Sequence, residues 1–212
     1  NGEIYNFAAL REELVGLGHR FATRSDSEVL VHGYEAWGEA LLNRIEGMFA
    51  LAIWDAGSQT LLLARDRMGE KPLFWTELPG GGLAFASELR ALGACHGVDL
   101  SVDPAALARY LVYEYVPAPM TLIRGMRKLE PGTFLKIRAG TGPQIQQYWD
   151  LTLPSAPKDR PSDLDVSAAE LLRELRRSVK ERLVSDVPLG VFLSGGVDSS
   201  TVAALAAEVR GS

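Results

Sequence analysis

The sequence predicts an α/β protein of two unlike parts: an antiparallel sheet flanked by helices, then the opening strand, loop and helix of a doubly wound parallel α/β domain. Three observations carry this expectation. Short apolar runs separated by turn residues fill the stretch from Met48 to Ala86. Stripes at helical spacing stand on either side of them. A polar, proline-rich segment from Pro154 to Ser162 then sets these apart from a strand, a double glycine and a helix near Ser212. The expected boundaries are a first domain over 1–152, a linker over 153–165 and a second domain over 166–212.

In chain order, Phe7, Leu10, Leu14 and Leu17 predict a helix that stops near Gly18. Ser25-Asp26-Ser27-Glu28 has the form of a capping box opening a second helix through Val29, Leu30 and Tyr34. Strands follow at Met48 to Trp54, Leu61 to Ala64, Leu73 to Trp75 and Leu83 to Ala86. Both alternating faces of Phe49 to Trp54 are apolar, so this strand is expected to be covered on both sides. Asp103-Pro104 caps a helix running to Tyr115, and Pro117-Ala118-Pro119 ends it. Met126 to Ile137 and Ile145 to Trp149 read as a hairpin closing the first domain. Ser167-Ala168-Ala169-Glu170 is a second capping box, opening a helix with Leu171, Leu175, Val179 and Leu183 on one stripe. The arginines and lysine of that helix read as a solvated face interleaved with glutamates.

Composition narrows the function. Of 212 residues, 47% are hydrophobic and 23% charged, the range of soluble globular proteins. A formal net charge of -5 leaves no basic stripe for phosphate backbones, so nucleic acid is excluded as a main partner. The single cysteine, Cys95, cannot form an internal disulfide, and no apolar run reaches membrane-spanning length. No membrane partner is expected, and a cytoplasmic location is. The chain opens at Asn1 without methionine and stops about one helix after the double glycine, so an internal piece of a longer protein is expected.

The chemistry is clearest near the C-terminus. Val187 to Leu193 reads as a short buried strand, Ser194-Gly195-Gly196-Val197-Asp198-Ser199-Ser200 as a turn, and Thr201 to Val209 as the helix it enters. Glycines that present amides, serine hydroxyls and a helix N-terminus form a cradle for a pyrophosphate-like anion. Asp198 would repel that anion unless a cation such as Mg2+ lay between them. An ordinary glycine turn with a helix cap is the plainer alternative. A P-loop is excluded because no Gly-Lys-Ser or Gly-Lys-Thr follows.

Ser194 to Ser200 resembles the pyrophosphate loop of the N-type ATP pyrophosphatases, which adenylate a substrate and release pyrophosphate. Asn1-Gly2-Glu3-Ile4-Tyr5-Asn6 resembles the glutamine-binding segment of class II glutamine amidotransferases. Ser25 to Glu28, Gly47-Met48-Phe49-Ala50, Ala64 to Leu73 and Ala86-Ser87-Glu88 continue that likeness in order. Val116 to Pro119, Lys128 to Gly132 and Ser185 to Val191 are similar to the pattern of the glutamine-hydrolysing asparagine synthetases. The resemblance implies a four-layer α-β-β-α N-terminal-nucleophile hydrolase-like first domain, incomplete at its N-terminus, and an ATP pyrophosphatase second domain.

By position, the resemblance implies that the Asn1 side chain and the Gly2 amide form an oxyanion hole, and that Glu3 and Asp26 hold the glutamine head group with them. Leu193 and Ser194, Gly195, Gly196, Val197, Asp198, Ser199 and Ser200 would bind ATP or its pyrophosphate, with Asp198 at the Mg2+. Taken alone, Asn1-Gly2 is also a common hairpin turn and Asp26 a helix-dipole partner. The family's cysteine nucleophile is expected upstream of Asn1, and Cys95 is read as a structural thiol. Glutamine, aspartate and ATP are the implied small-molecule partners, and the intact protein is expected to be a homodimer. A different acceptor in the same architecture, or a non-catalytic assembly role, remains open because the acceptor site is expected after Ser212.

Overall fold

In the computed structural model, which describes residues 1–138, 140–152, 163–185 and 187–211, the chain divides into two units, Asn1–Leu151 and Thr152–Ser212. The first holds strands β1 (Gly2–Ile4), β2 (Gly47–Asp55), β3 (Thr60–Arg65), β4 (Phe74–Glu77), β5 (Leu83–Ala86), β6 (Arg127–Lys128), β7 (Thr133–Arg138) and β8 (Gln144–Gln147). Its helices are α1 (Phe7–Gly16), α2 (Glu28–Trp37), α3 (Leu41–Arg44), α4 (Leu89–Gly93) and α5 (Pro104–Tyr113). The mixed α/β class with antiparallel sheets is the one expected. One sheet has the order β1-β2-β3-β7-β8 and a smaller one the order β5-β4-β6, and every pairing is antiparallel.

Strand alternation decides how the layers stack. Phe49 and Leu51 of β2, Leu62 and Ala64 of β3, and Phe134 of β7 face Leu10 and Leu14 of α1, Val29 of α2, and Leu41 and Leu42. On the opposite face Ala50, Leu63 and Leu135 meet Leu73, Trp75 and Leu129, which join the large sheet to the small one. Helices, large sheet and small sheet are thus stacked in that order, and α4 packs against β4 and β5 of the small sheet. Cover on the second face ends at Ala50: Ala52 and Trp54 lie beyond the small sheet, and Trp54 is 56% exposed. The expectation that β2 is buried on both sides therefore holds only for its first half.

Two further expectations are corrected within this unit. The segment from Met126 to Ile137 is not one strand, because Arg127 and Lys128 pair with β4 while Thr133 to Arg138 pair with β3 and β8. Nor does Glu28 complete a capping box with Ser25. Its carboxylate accepts from the Ala22 and Thr23 amides at 2.6 and 2.7 Å and from the Thr23 hydroxyl at 2.5 Å, three donors that outbid the single one of a box. Asp103 behaves as expected, accepting from the amides of Ala105 and Ala106 with Pro104 in the first turn.

The junction between the sheets is built around Asp66, whose side chain is almost fully buried. Its carboxylate accepts from the amides of Phe49, Met68, Glu70 and Lys71 at 2.9 to 3.2 Å. Its own amide donates to Phe49 and its carbonyl accepts from Gly69 and Gly132. The neighbouring Arg65 guanidinium donates to the carbonyls of Lys71, Leu129 and Gly69.

The second unit consists of α6 (Leu164–Arg182) and α7 (Val197–Gly211), joined through Val179, Leu205 and Ala206 with Leu175 and Leu183 beside them. Arg176 pairs with Glu208 across the two helices, while Arg177 pairs with Glu174 and Glu181 on its own helix. Most of the expected linker, 153–162, lies outside the described residues. The box at Ser167 is not the helix start, because Asp163 caps α6 first by accepting from the Asp165 amide at 3.1 Å. The expected strand from Val187 to Leu193 does not form among the described residues, and Phe192 is 99% exposed. A strand of a parallel sheet takes its hydrogen bonds from neighbouring strands, and the described residues of this unit offer none.

Replacing Asp66 by alanine leaves buried amides unpaired, and asparagine turns a donor toward donors. Each variant is expected to lose on the order of 3 kcal/mol or more of unfolding free energy in urea titrations. A loss below about 1 kcal/mol contradicts this role.

Candidate functional site

Strand β1 is the edge of the large sheet, and its register settles where its backbone groups point. Gly2 stands opposite Phe49, Glu3 opposite Met48 and Ile4 opposite Gly47. Asn1 exchanges both of its backbone bonds with Ala50, at 3.1 and 2.8 Å. In an antiparallel ladder such exchanging pairs alternate with pairs whose amides and carbonyls point outward. The Gly2 and Ile4 amides therefore face the open edge. The Ile4 amide donates there to Asp26 Oδ2 at 2.9 Å.

Glycine is required at this crossing. A Cβ on Gly2, at φ +142°, would lie 2.0 Å from the Met48 carbonyl oxygen, and one on Gly47 would lie 2.2 Å from that of Glu3. Close strand approach thus leaves the Gly2 amide uncovered at the edge. Side chains alternate as well: Ile4 enters the core under the helices, while Asn1 and Glu3 share the opposite face. On that face Asn1 Nδ2 donates to Ser87 Oγ at 3.0 Å, just past the end of β5. One of the two amide hydrogens remains available beyond this bond.

Asp26 lies in the turn before α2. With Oδ2 occupied by Ile4, its Oδ1 meets the Ser25 and Ser27 hydroxyls only at 3.4 and 3.3 Å. The turn is held from behind by Glu28, whose pKa is lowered from 4.5 to about 2, first by the Thr23 hydroxyl and next by the Ala22 amide. Asn1, Gly2, Glu3 and Asp26 are therefore gathered at one strand edge. Ser87 and Asp66 are additional members: Ser87 fixes Asn1, and Asp66 fixes Phe49, which backs Gly2. Sequence reasoning placed both inside matching segments without giving either a role.

The remaining predicted residues, Leu193 to Ser200, lie in the second unit. Gly195 turns at φ +83°, and the Ser194 and Ser199 hydroxyls meet at 3.0 Å. Ser199 Oγ also donates to the Gly196 carbonyl at 3.2 Å, and the Ser200 amide donates to the same oxygen at 3.0 Å. The helix starts at Val197, four residues before the expected Thr201, so Asp198, Ser199 and Ser200 form its first turn. Unpaired first-turn amides give that end partial positive charge, and the carboxylate of Asp198 stands in it. Beside the loop lies an open, mostly apolar groove of about 490 Å³, lined by Leu189, Val191, Val202 and Ala203 among others.

Residues 1–149 match the glutamine amidotransferase domain family. The chain belongs to that family. Residues 170–212 match the asparagine synthase family. Over 211 residues the chain is 43% identical to a putative glutamine-hydrolysing asparagine synthetase of Mycobacterium tuberculosis, covering 97% of this chain and 32% of the relative. Asparagine synthetase 1 of Bacillus subtilis is 38% identical over 208 residues, covering 98% and 32%. An amidase of Penicillium rubens is 32% identical, covering 99% and 30%. This amidotransferase-family chain spans about a third of the length of these relatives. It also superposes on the Bacillus subtilis glutamine phosphoribosylpyrophosphate amidotransferase with a TM-score of 0.47 at 20% identity, covering all of this chain and 43% of the other.

A depressed carboxylate adds stability that is fully present above its unfolded pKa and is lost as pH falls through its folded one. For Glu28 that window runs from pH 4.5 down to about 2. The difference in thermal midpoint between the native chain and Glu28→Gln is expected to be constant above this window and to shrink within it. A pH-independent difference contradicts the assignment.

Proposed function

We propose that this chain is part of a glutamine-hydrolysing asparagine synthetase, carrying the glutamine-binding edge of its glutaminase and the pyrophosphate loop of its synthetase. The consecutive matches to an amidotransferase and to an asparagine synthase family carry this reading. Relatives of that name align across nearly the whole chain.

In the first half-reaction a nucleophile supplied from outside Asn1 to Ser212 attacks the glutamine side-chain amide, ammonia departs as the acyl intermediate forms, and water then cleaves that intermediate to release glutamate and restore the nucleophile. The outward Gly2 amide and the second hydrogen of Asn1 Nδ2 are the donors for the oxyanion that develops on the amide carbonyl. The Asp26 carboxylate accepts the substrate ammonium through Oδ1, and Glu3 stands on the Asn1 face beside it. Residues two apart on a strand are separated by roughly 7 Å, which suits an amino acid with its amide at the side-chain end.

In the second half-reaction the aspartate side-chain carboxylate attacks the α-phosphate of ATP, pyrophosphate leaves, and ammonia then displaces AMP to give asparagine. The loop amides and the hydroxyls of Ser194, Ser199 and Ser200 suit the leaving pyrophosphate. The acid at that helix start, Asp198, fits a Mg2+ that would neutralise pyrophosphate charge. Leu193 and the adjoining apolar groove suit the uncharged part of the nucleotide. The reading takes the enzyme to be cytoplasmic and homodimeric. The amidase relative favours one variant of it, the same architecture serving another acceptor.

A double dissociation tests the assignment in the intact polypeptide. Asp26→Asn keeps an oxygen for the Ile4 amide while removing the charge, so glutamine-dependent synthesis is expected to lose about 30-fold or more in kcat/KM, with ammonia-dependent synthesis near normal. Asp198→Ala is expected to abolish aspartate-dependent pyrophosphate release and spare glutamine hydrolysis. Equal, small losses in all activities would leave both residues as helix caps. Pyrophosphate release with an acceptor other than aspartate alone would establish the variant reading.

A further inference from the structure

We propose that His19, His32 and Glu35 form a binding site for a divalent transition-metal cation of the zinc class, separate from both predicted substrate sites. One carboxylate oxygen, Glu35 Oε2, is approached by His32 Nδ1 at 3.0 Å and by His19 Nδ1 at 3.4 Å. Ligand atoms from all three residues lie within 4.8 Å of one another. Bonds of ~2.0 Å in a tetrahedral zinc site place ligand atoms about 3.3 Å apart, so the spacing requires little movement to admit the ion. Two imidazoles and one carboxylate are also a donor set such cations take, with a fourth position left for water.

The site is held in place from two sides. His32 and Glu35, three residues apart on α2, share one face of that helix. His19 follows α1 directly: its amide donates to the Leu14 carbonyl at 3.0 Å, and Gly18 at φ +95° turns the chain so that the ring faces α2. The two imidazole rings lie 5.1 Å apart, and the Phe21 edge packs on His32 at 4.6 Å. Both histidine side chains are about one fifth exposed and Glu35 more than half, so the ligands are oriented by packing while one side stays open to solvent.

A supporting group stands behind the ligands. The far nitrogen of His32, Nε2, faces Glu28 Oε1 at 3.7 Å, and Glu28 is itself fixed by the Ala22 and Thr23 amides and the Thr23 hydroxyl. In the metal-free cluster His32 Nδ1 donates to Glu35, and on ion binding that proton would leave while the Glu28 charge favours a proton on Nε2, so that Nδ1 coordinates. The bound ion would clip the end of α1 to α2 and brace the turn that carries Asp26. This inference rests on geometry alone and is independent of the proposed function.

Calorimetric titration of the full chain with Zn2+, and visible absorption with Co2+ as the spectroscopic probe, test it. One ion per chain is expected, with four-coordinate cobalt bands. Glu35→Gln, an exposed change that leaves folding intact, and His19→Gln are each expected to weaken binding at least about tenfold and to abolish the bands. His96→Gln, elsewhere in the chain, is expected to bind as the native protein does. Absence of saturable one-to-one uptake, or uptake unchanged in Glu35→Gln, would reduce the cluster to hydrogen-bonded histidines and overturn the proposal.

Discussion

Asp66 is one buried carboxylate on which three segments of the first unit converge: strand β2 through Phe49, the loop from Met68 to Lys71, and, through its carbonyl, the turn at Gly132 before β7. Four amides directed at one charge would be left without partners if that charge were removed, so the loop cannot rearrange piecemeal. Phe49 is the link to the candidate edge. Its backbone bonds Asp66 on one side and it stands opposite Gly2 on the other, so the position of β1 follows from a residue well inside the sheet.

Both predicted sites rely on main-chain amides more than on side-chain charge. At β1 the ladder itself turns the Gly2 amide outward, and glycine at Gly2 and Gly47 removes the side chains that would keep the strands apart. At Ser194 to Ser200 a left-handed glycine and a helix start provide the amides. Amides fixed in this way need no reorganisation as charge develops on a substrate, which suits an oxyanion at one site and pyrophosphate at the other.

Local rules made much of the first unit legible. Apolar runs between turn residues located β2 to β5, and Asp103-Pro104 located α5, because each depends on neighbours in sequence. What escaped depends on distant partners or on competition between local ones. Glu28 found better donors in Ala22 and Thr23 than in a capping box, and Asp163 pre-empted Ser167. The run from Val187 to Leu193 has strand composition, yet composition cannot provide the neighbouring strand. Within the candidate site, the type of each residue was readable, whereas the bond from Ile4 to Asp26 was not, and outside it neither was the meeting of His19 with Glu35. They join residues 22 and 16 apart through a turn and two helices.

Native-state hydrogen exchange of single amides measures the anchoring by Asp66 most directly. The amides of Phe49, Met68, Glu70 and Lys71 are expected to exchange together, with an opening free energy close to that of the core amides of Leu63 and Leu135. Exchange of the three loop amides at the rate of an open turn, independent of Phe49, would contradict the claim that one buried carboxylate holds this edge of the sheet in place.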